Sequence, residues 1–304
     1  MASLGQAASL LSLFLATATS SAASLSISRL HAQRYVASPD SERPTFPTLA
    51  TEGGVVSAAL VGTTVWFVGA SGDVYCCESV DDLSDKCALA PVQLSGGATD
   101  IRTSGAWPNN VTLGLASPSA VAMASVRGAC QATTVAEAEV EVGEVGGLAL
   151  AKEEEAEGAP LYLYAGGSSG ALWRLAPSGE TQRVAGPFDD GTPITALALQ
   201  GPTKVAVATK VALYRKLSAD KWRTEFLLTL FDSDLSALSF DNEAAILWAG
   251  GNASFYSIDV TNGSATNGWV TRIGGGEGAP VAGGVRCICQ TRGGAVVFGT
   301  DQGV

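Results

Sequence analysis

The sequence repeats one pattern with a period of about forty-five residues, and this repeat constrains the fold more than any other feature. Each copy has a short apolar segment ending in a small residue, a tight polar turn, and a second segment with an aromatic residue. The copies occupy residues 65–75, 111–125, 161–175, 204–217, 246–258 and 296–304. The second copy is degenerate, and Gly114 is the small residue expected to end its first segment.

Apolar segments flank most of these hairpins on both sides, so a complete unit has four short strands. Four strands in forty-odd residues are typical of a β-propeller blade. A twisted four-stranded sheet with two apolar faces must stack on neighbours to bury both. We therefore predict an all-β protein, a β-propeller of about six four-stranded blades. An irregular β-sandwich and an open stack of sheets are the alternatives to this fold.

Three of the hairpins read VWFVGASGDVY, ILWAGGNASFY and VVFGTDQGV. They resemble the propeller repeats in the sensor domains of two-component regulators, whose inner hairpin reads apolar-Trp-apolar-Gly-Thr and then Gly-Leu-aromatic. The resemblance covers most of the chain beyond residue 50 and implies a propeller with a sensing role. The Gly-His and Trp-Asp signatures of WD repeats and the Asp-box of sialidase-like propellers are absent from the sequence.

The two ends of the chain differ from the repeats. Residues 1–23 read as a signal peptide: residues 1–28 carry no charged side chain, and the apolar run at 10–16 precedes small residues. Ala16 and Ala18 together fit the A-x-A cleavage pattern, and Ala22 or Ala23 are later choices. The apolar run is shorter than the ~20 residues that span a bilayer, so we expect no integral membrane span after cleavage. The alternative is a membrane anchor formed by an uncleaved leader.

Residues 24–50 form an N-terminal segment, and residues 51–304 carry the propeller repeats. The last unit has two strands and then ends. Either this blade is incomplete in a fragment of a larger protein, or the N-terminal segment closes it with strands from residues 24–38. Closure of this kind would remove the open edges of the sheet.

Cysteines and glycosylation sequons agree with export to the secretory-pathway lumen or the extracellular space. The sequons lie at Asn110, Asn252 and Asn262. The disulfide candidates are Cys76, Cys77, Cys87, Cys130, Cys287 and Cys289. Cys76 and Cys77 are adjacent in a strand, so their side chains point to opposite faces and should find separate partners. Cys87, one hairpin away, is a reasonable partner for one of them.

The charge balance and the scarcity of histidine limit the function classes. The net charge of −11 disfavours nucleic acid as a partner, and the single histidine excludes a multi-histidine metal site. Eight glutamates between residues 137 and 157 alternate on a predicted edge strand and continue into a loop. We find no nucleophile elbow and no P-loop, and we expect no catalytic residue, cofactor or metal.

The favoured function is therefore a non-catalytic, secreted or luminal propeller that binds an unknown protein or small ligand through loops on one propeller face. One alternative is the N-terminal fragment of a larger extracellular sensor or receptor. Another is a carbohydrate-active propeller enzyme, which would need paired carboxylates at the mouth of the central channel.

Overall fold

The computed structural model describes residues 55–78, 87–106, 109–152, 158–188, 191–200, 204–210, 212–218, 221–227, 235–241, 245–251, 255–260, 270–274, 284–290 and 296–300. This part of the chain contains 22 strands and no helix. The predicted leader and the N-terminal segment to residue 50 lie outside the described residues, so the signal-peptide and seam-closure predictions stay predictions.

The strands form six sheets in chain order. Sheet 1 contains β1 (Val55–Val61), β2 (Thr64–Gly69), β3 (Val74–Cys77) and β4 (Cys87–Leu89). Sheet 2 contains β5 (Asp100–Ala106), β6 (Asn109–Ala116), β7 (Ala120–Gly128) and β8 (Gln131–Glu139). Sheet 3 contains β9 (Val145–Lys152), β10 (Leu161–Gly167), β11 (Leu172–Leu175) and β12 (Thr181–Ala185). Sheet 4 contains β13 (Ile194–Leu199), β14 (Val205–Thr209), β15 (Ala212–Ser218) and β16 (Lys221–Leu227). Sheet 5 contains β17 (Leu235–Phe240), β18 (Ile246–Gly251), β19 (Phe255–Asp259) and β20 (Val270–Gly274). Sheet 6 contains β21 (Val285–Gln290) and β22 (Val296–Thr300).

Each four-stranded sheet is an antiparallel meander whose strands follow chain order. The first strand of each sheet contacts the first strand of the next, in the series β1, β5, β9, β13, β17 and β21. We call these six strands the innermost strands. Sheets that meet along their first strands have the architecture of a β-propeller, which confirms the predicted fold class. Five sheets have four strands each, and the described part of the last sheet has two.

Separate apolar layers between neighbouring sheets form the core. Trp66 and Val68 of sheet 1 pack with Ile101 and Leu113 of sheet 2, and each later pair of sheets has its own cluster. Phe67 lies between Trp66 and Val68 in sequence and belongs to a cluster on the opposite face of sheet 1. Successive side chains of a strand point to opposite faces, so each strand supplies two layers. Trp66 is the largest side chain that is fully buried in these layers.

One bulge recurs at the start of the innermost strands. In five of the six sheets the ladder between the first two strands skips one residue directly after the first pair. In sheet 3 the skipped residue is Gly146, and a Cβ there would lie 1.9 Å from the carbonyl oxygen of Ile194 in sheet 4. A β-bulge bends its strand locally. At Gly146 it brings two neighbouring sheets into backbone contact that only glycine allows.

In sheet 2, the predicted end of one strand is wrong. The second strand of this sheet continues to Ala116, which pairs with Asp100, so Gly114 does not end it. Gly114 is a close-approach position instead, because a Cβ there would lie 2.3 Å from Cδ1 of Leu163 in sheet 3.

Within the described part of the chain, no helix is long and apolar enough to cross a membrane.

We predict that Gly146→Ala destabilises the protein by about 1–3 kcal/mol, because the new methyl group overlaps the backbone of sheet 4. Gly128→Ala is the matched control: its nearest neighbour is the flexible end of Gln131, at 3.1 Å. The control should change the free energy of unfolding by less than about 0.5 kcal/mol. Urea denaturation of both variants measures the difference. Equal stability of the two variants would contradict the backbone contact.

Candidate functional site

The structure has one end at which every innermost strand begins, and we call this end the start face. In the first four sheets it is formed by hairpin turns and by the links that join one sheet to the next. The described turns are residues 70–73, 117–119 and 168–171, and the described links are residues 90–99, 140–144, 186–188 and 191–193. Loops that are carried by a rigid scaffold are where propellers and other folds place binding residues.

Backbone hydrogen bonds tie the links of the start face to its turns. Ala98 N donates to Gly72 O at 2.7 Å, and Val142 N donates to Pro118 O at 3.0 Å. Ser169 N donates to Val142 O at 3.1 Å. The link after sheet 2 thus bonds to turns of both sheets that it joins. A surface fixed in this way loses little conformational entropy when it binds a ligand.

The chemistry of the start face is polar and partly acidic. Hydroxyl side chains are exposed in every described turn and in the first link, at Ser71, Ser95, Thr99, Ser119 and Ser168. Glu141 and Glu144 are exposed in the second link. The face therefore offers donors and acceptors from hydroxyls together with negative charge, which suits polar or cationic ligand groups.

Two charged residues lie beneath this face on an innermost strand. The first residue of each innermost strand pairs with the last residue of the second strand, so the six sheets can be aligned by register. At the first aligned position five sheets have an aliphatic residue: Val55, Val145, Ile194, Leu235 and Val285. At a second aligned position five sheets again have an apolar residue: Ala58, Leu148, Leu197, Leu238 and Ile288. Sheet 2 has Asp100 and Arg102 at these two positions.

Asp100 and Arg102 form an ion pair that connects three sheets. Arg102 Nη2 lies 3.1 Å from Asp100 Oδ2, and the two side chains are only 12% and 11% exposed. Ser57 of sheet 1 donates its hydroxyl to Asp100 Oδ1 at 2.6 Å. Arg102 Nε donates to the carbonyl oxygen of Leu148 in sheet 3 at 3.2 Å. Arg102 Nη1 is buried and has no hydrogen-bond partner among the described residues.

This polar network has limited chemical options of its own. The Asp100 carboxylate already accepts hydrogen bonds from Ser57 and from the Ile101 backbone, and it neutralises Arg102. Hydrolysis of a glycosidic bond needs a pair of carboxyl groups on either side of the bond. Within the described residues, no group of three or more His, Cys, Asp and Glu side chains could hold a metal ion. We therefore interpret the network as a polar connection between innermost strands.

Sequence reasoning missed both residues, because β5 reads DIRTSGA and does not look like an apolar strand. An alignment of the first strands of the six units would have revealed both residues. Once each first strand is placed before its hairpin, a carboxylate and a guanidinium stand where the other units have aliphatic side chains.

The structure pairs four of the six cysteines. Cys76 of β3 bonds to Cys130 in the turn before β8, and this disulfide joins sheet 1 to sheet 2. Cys77 bonds to Cys87 and links β3 to β4. The adjacent cysteines thus have separate partners, as their opposite faces require, and Cys87 is one of those partners. Cys287 and Cys289 lie on β21, where the Cys287 side chain is partly buried.

The glycosylation candidates stay predictions. Asn110 lies near the start of β6, and Asn252 and Asn262 lie outside the described residues.

The acidic segment, residues 137–157, begins on β8, the outermost strand of sheet 2. Its glutamates up to Glu139 lie on this strand, as their alternation in the sequence predicted. The glutamates from 153 to 157 lie outside the described residues.

Comparison with solved structures identifies the class of protein. The chain is similar to the extracellular domain of a putative one-component system from B. thetaiotaomicron, with a TM-score of 0.57 and 13% identity. It is similar to Saccharomyces cerevisiae Sqt1, with a TM-score of 0.55 and 15% identity, and to the WD40 β-propeller domain of Doa1, with 0.57 and 10%. Each match covers 82% of this chain. The fold is that of a β-propeller.

The matches differ in how much of the other chain they include. This chain spans 32% of the one-component-system domain, 70% of Sqt1 and 76% of the Doa1 domain. No protein-family description and no curated protein sequence matches the chain.

We predict that Asp100→Ala destabilises the protein by about 3–5 kcal/mol, because it leaves the Arg102 guanidinium buried without its counter-charge. The double variant Asp100→Val/Arg102→Leu restores the residue types of the other sheets. It should be neutral or stabilising by about 1–4 kcal/mol, because two buried charges no longer lose their hydration. Urea denaturation of the three proteins is the measurement. A double variant as unstable as the single one would contradict this account.

We also predict that the two disulfides contribute unequally. They close loops with sequence separations of 54 and 10 residues. Loop-closure entropy in the unfolded chain predicts losses of about 4 kcal/mol for Cys76→Ala/Cys130→Ala and about 3 kcal/mol for Cys77→Ala/Cys87→Ala. Thermal and urea unfolding of the two double variants give the order. The reverse order would show that contacts in the folded state outweigh the entropy of the unfolded chain.

Proposed function

We propose that this chain is an exported, non-catalytic binding module that takes a protein or small ligand at the start face. The fold and the rigid, hydroxyl-bearing turns of that face are the observations that carry the proposal. The turns and links are held by backbone hydrogen bonds, so the exposed Ser71, Ser119 and Ser168 have fixed positions before any ligand arrives. Preorganisation of this kind supports affinity because less order is gained on binding.

Four features support export. The leader has the composition of a signal peptide, and three sequons follow it. Two disulfides in the structure fit an oxidising compartment, since cytosolic thiols are kept reduced. One of the similar structures is an extracellular domain.

A second candidate function is supported by that same structure. The extracellular domain belongs to a putative one-component system, and this chain spans about a third of it. We therefore keep the proposal that the chain is part of a larger extracellular sensor, in which the start face would contribute to a ligand site shared with further units.

The test combines export with site-specific photo-crosslinking. The full chain is expressed in eukaryotic secretory cells, with a photo-crosslinking amino acid at Ser119 on the start face. We expect the chain in the medium, a loss of mass on treatment with an N-glycosidase, and discrete crosslinked products after irradiation. The matched control carries the same amino acid at Thr63, an exposed residue in the β1–β2 turn at the opposite end of sheet 1.

The control should give no comparable products, because it lies away from the proposed site. Retention of the chain inside the cell would contradict export. Products of equal yield from both positions would contradict the assignment of the start face, whereas export would stand.

A further inference from the structure

The outermost strand of sheet 2 differs from the other outermost strands. β8 has nine residues, whereas β4 has three, β12 and β20 have five, and β16 has seven. Within the described part of the chain, no strand pairs with the outer edge of β8. Such an edge presents unpaired backbone N–H and C=O groups to any extended chain that approaches.

Proteins commonly protect such edges by shortness, proline or basic side chains. β4 is short, and the other three outermost strands each contain a basic residue: Arg183 in β12, Lys221 and Arg223 in β16, and Arg272 in β20. β8 reads QATTVAEAE and contains no Lys, Arg or Pro. Its only charges are the carboxylates of Glu137 and Glu139, both exposed and both near one end.

The exposed side chains of β8 are suited to strand pairing. Thr133, Thr134 and Val135 are consecutive, exposed and β-branched, a type favoured in strands. Val135 is 50% exposed and is one of two large hydrophobic residues exposed in the described chain; the other, Leu89, lies on the outermost strand of sheet 1. A bulge at Val135 separates the regularly paired residues 132–134 from the acidic end of the strand.

Charge decides which partner this edge accepts. A basic extended segment would meet exposed carboxylates at β8 and the exposed like charge of Arg183 at β12. Like-charge repulsion at the wrong edge and attraction at the right one give specificity. A second copy of this chain, with its net charge of −11, is disfavoured as the occupant by the same reasoning.

We propose that the outer edge of β8 is a second interaction site, which binds an extended basic segment of a partner protein by adding an antiparallel strand to sheet 2. The backbone of the partner pairs with residues 132–134, an apolar side chain covers Val135, and Lys or Arg side chains reach Glu137 and Glu139. This site lies along the outer edge of sheet 2, and its acidic end adjoins the start face, where Ser95 N donates to Glu137 Oε1 at 3.1 Å. The two proposals are tested by different measurements, so either can fail without the other.

The experiment uses the full folded chain and the synthetic peptide Lys-Thr-Lys-Thr-Val-Thr-Val-Thr, with Glu in place of both Lys residues in the control peptide. In the antiparallel register the two Lys residues lie opposite Glu139 and Glu137. We expect binding of the basic peptide alone, weaker at high salt because exposed charges are screened. Hydrogen exchange should show protection of β8.

Three variants locate the binding. Glu139→Lys should weaken binding at least about fivefold, since an attractive cross-strand pair becomes repulsive. Val135→Lys should abolish it, because it puts a cation on the edge at an exposed position that leaves the fold intact. Glu180→Lys is the matched control, an exposed glutamate in the β11–β12 turn, and should bind as the wild type does. Near-UV circular dichroism confirms that each variant is folded.

The proposal is overturned if the folded wild-type chain does not bind the basic peptide, or if Glu180→Lys weakens binding as much as Glu139→Lys. It is overturned equally if the protected segment is not β8. Sedimentation analysis gives the remaining outcome: a wild-type dimer that Val135→Lys converts to a monomer would assign the edge to a second copy of this chain instead.

Discussion

Sheets 1 to 5 each have an apolar layer on both faces among the described residues, and a single sheet cannot bury both of its faces by itself. Trp66 and Val68 point to one side of β2 while Phe67 points to the other, and each side belongs to a different cluster. Stability therefore resides in the layers between sheets and in the convergence of the innermost strands. That convergence needs small residues and recurrent bulges, and at Gly146 it leaves no room even for a methyl group.

The Asp100–Arg102 pair interrupts this apolar scheme in sheet 2 alone. Charges removed from water lose hydration that their mutual attraction only partly returns, so aliphatic side chains at these positions would be the more stable solution. The contribution of the ion pair is a set of specific hydrogen-bond partners in the neighbouring sheets. Asp100 accepts a hydrogen bond from Ser57 in sheet 1, and Arg102 donates one to the carbonyl oxygen of Leu148 in sheet 3, so the pair is bonded to both neighbouring sheets. The network thereby distinguishes sheet 2 from five sheets of closely similar shape.

The sequence predicted most of the fold because the hairpins combine apolar strands with polar turns, a local signal that packing reinforces. It did not predict β5, whose polar residues are explained only by contacts with Ser57 and Leu148, far away in the chain. It placed Gly114 at a strand end, since a glycine marks that place in other units, whereas this glycine accommodates Leu163 of the next sheet. The separate partners of Cys76 and Cys77 followed from strand geometry, but Cys130 could be identified only once sheet 2 was placed beside sheet 1. The sequence predicted binding through loops on one propeller face, but it could not show which loops form the start face, because turns and links from different units meet there.

The disulfide between Cys76 and Cys130 has a consequence for how the protein comes apart. It crosses the layer between sheets 1 and 2, so these two sheets cannot separate even when their apolar contacts are lost. The other described layers are held by non-covalent packing alone among the residues the structure describes. Partial opening of a repeat protein proceeds sheet by sheet from its least constrained interface. Under mechanical tension or attack by a protease, sheets 1 and 2 would thus stay together as a covalently linked pair after the other layers have opened.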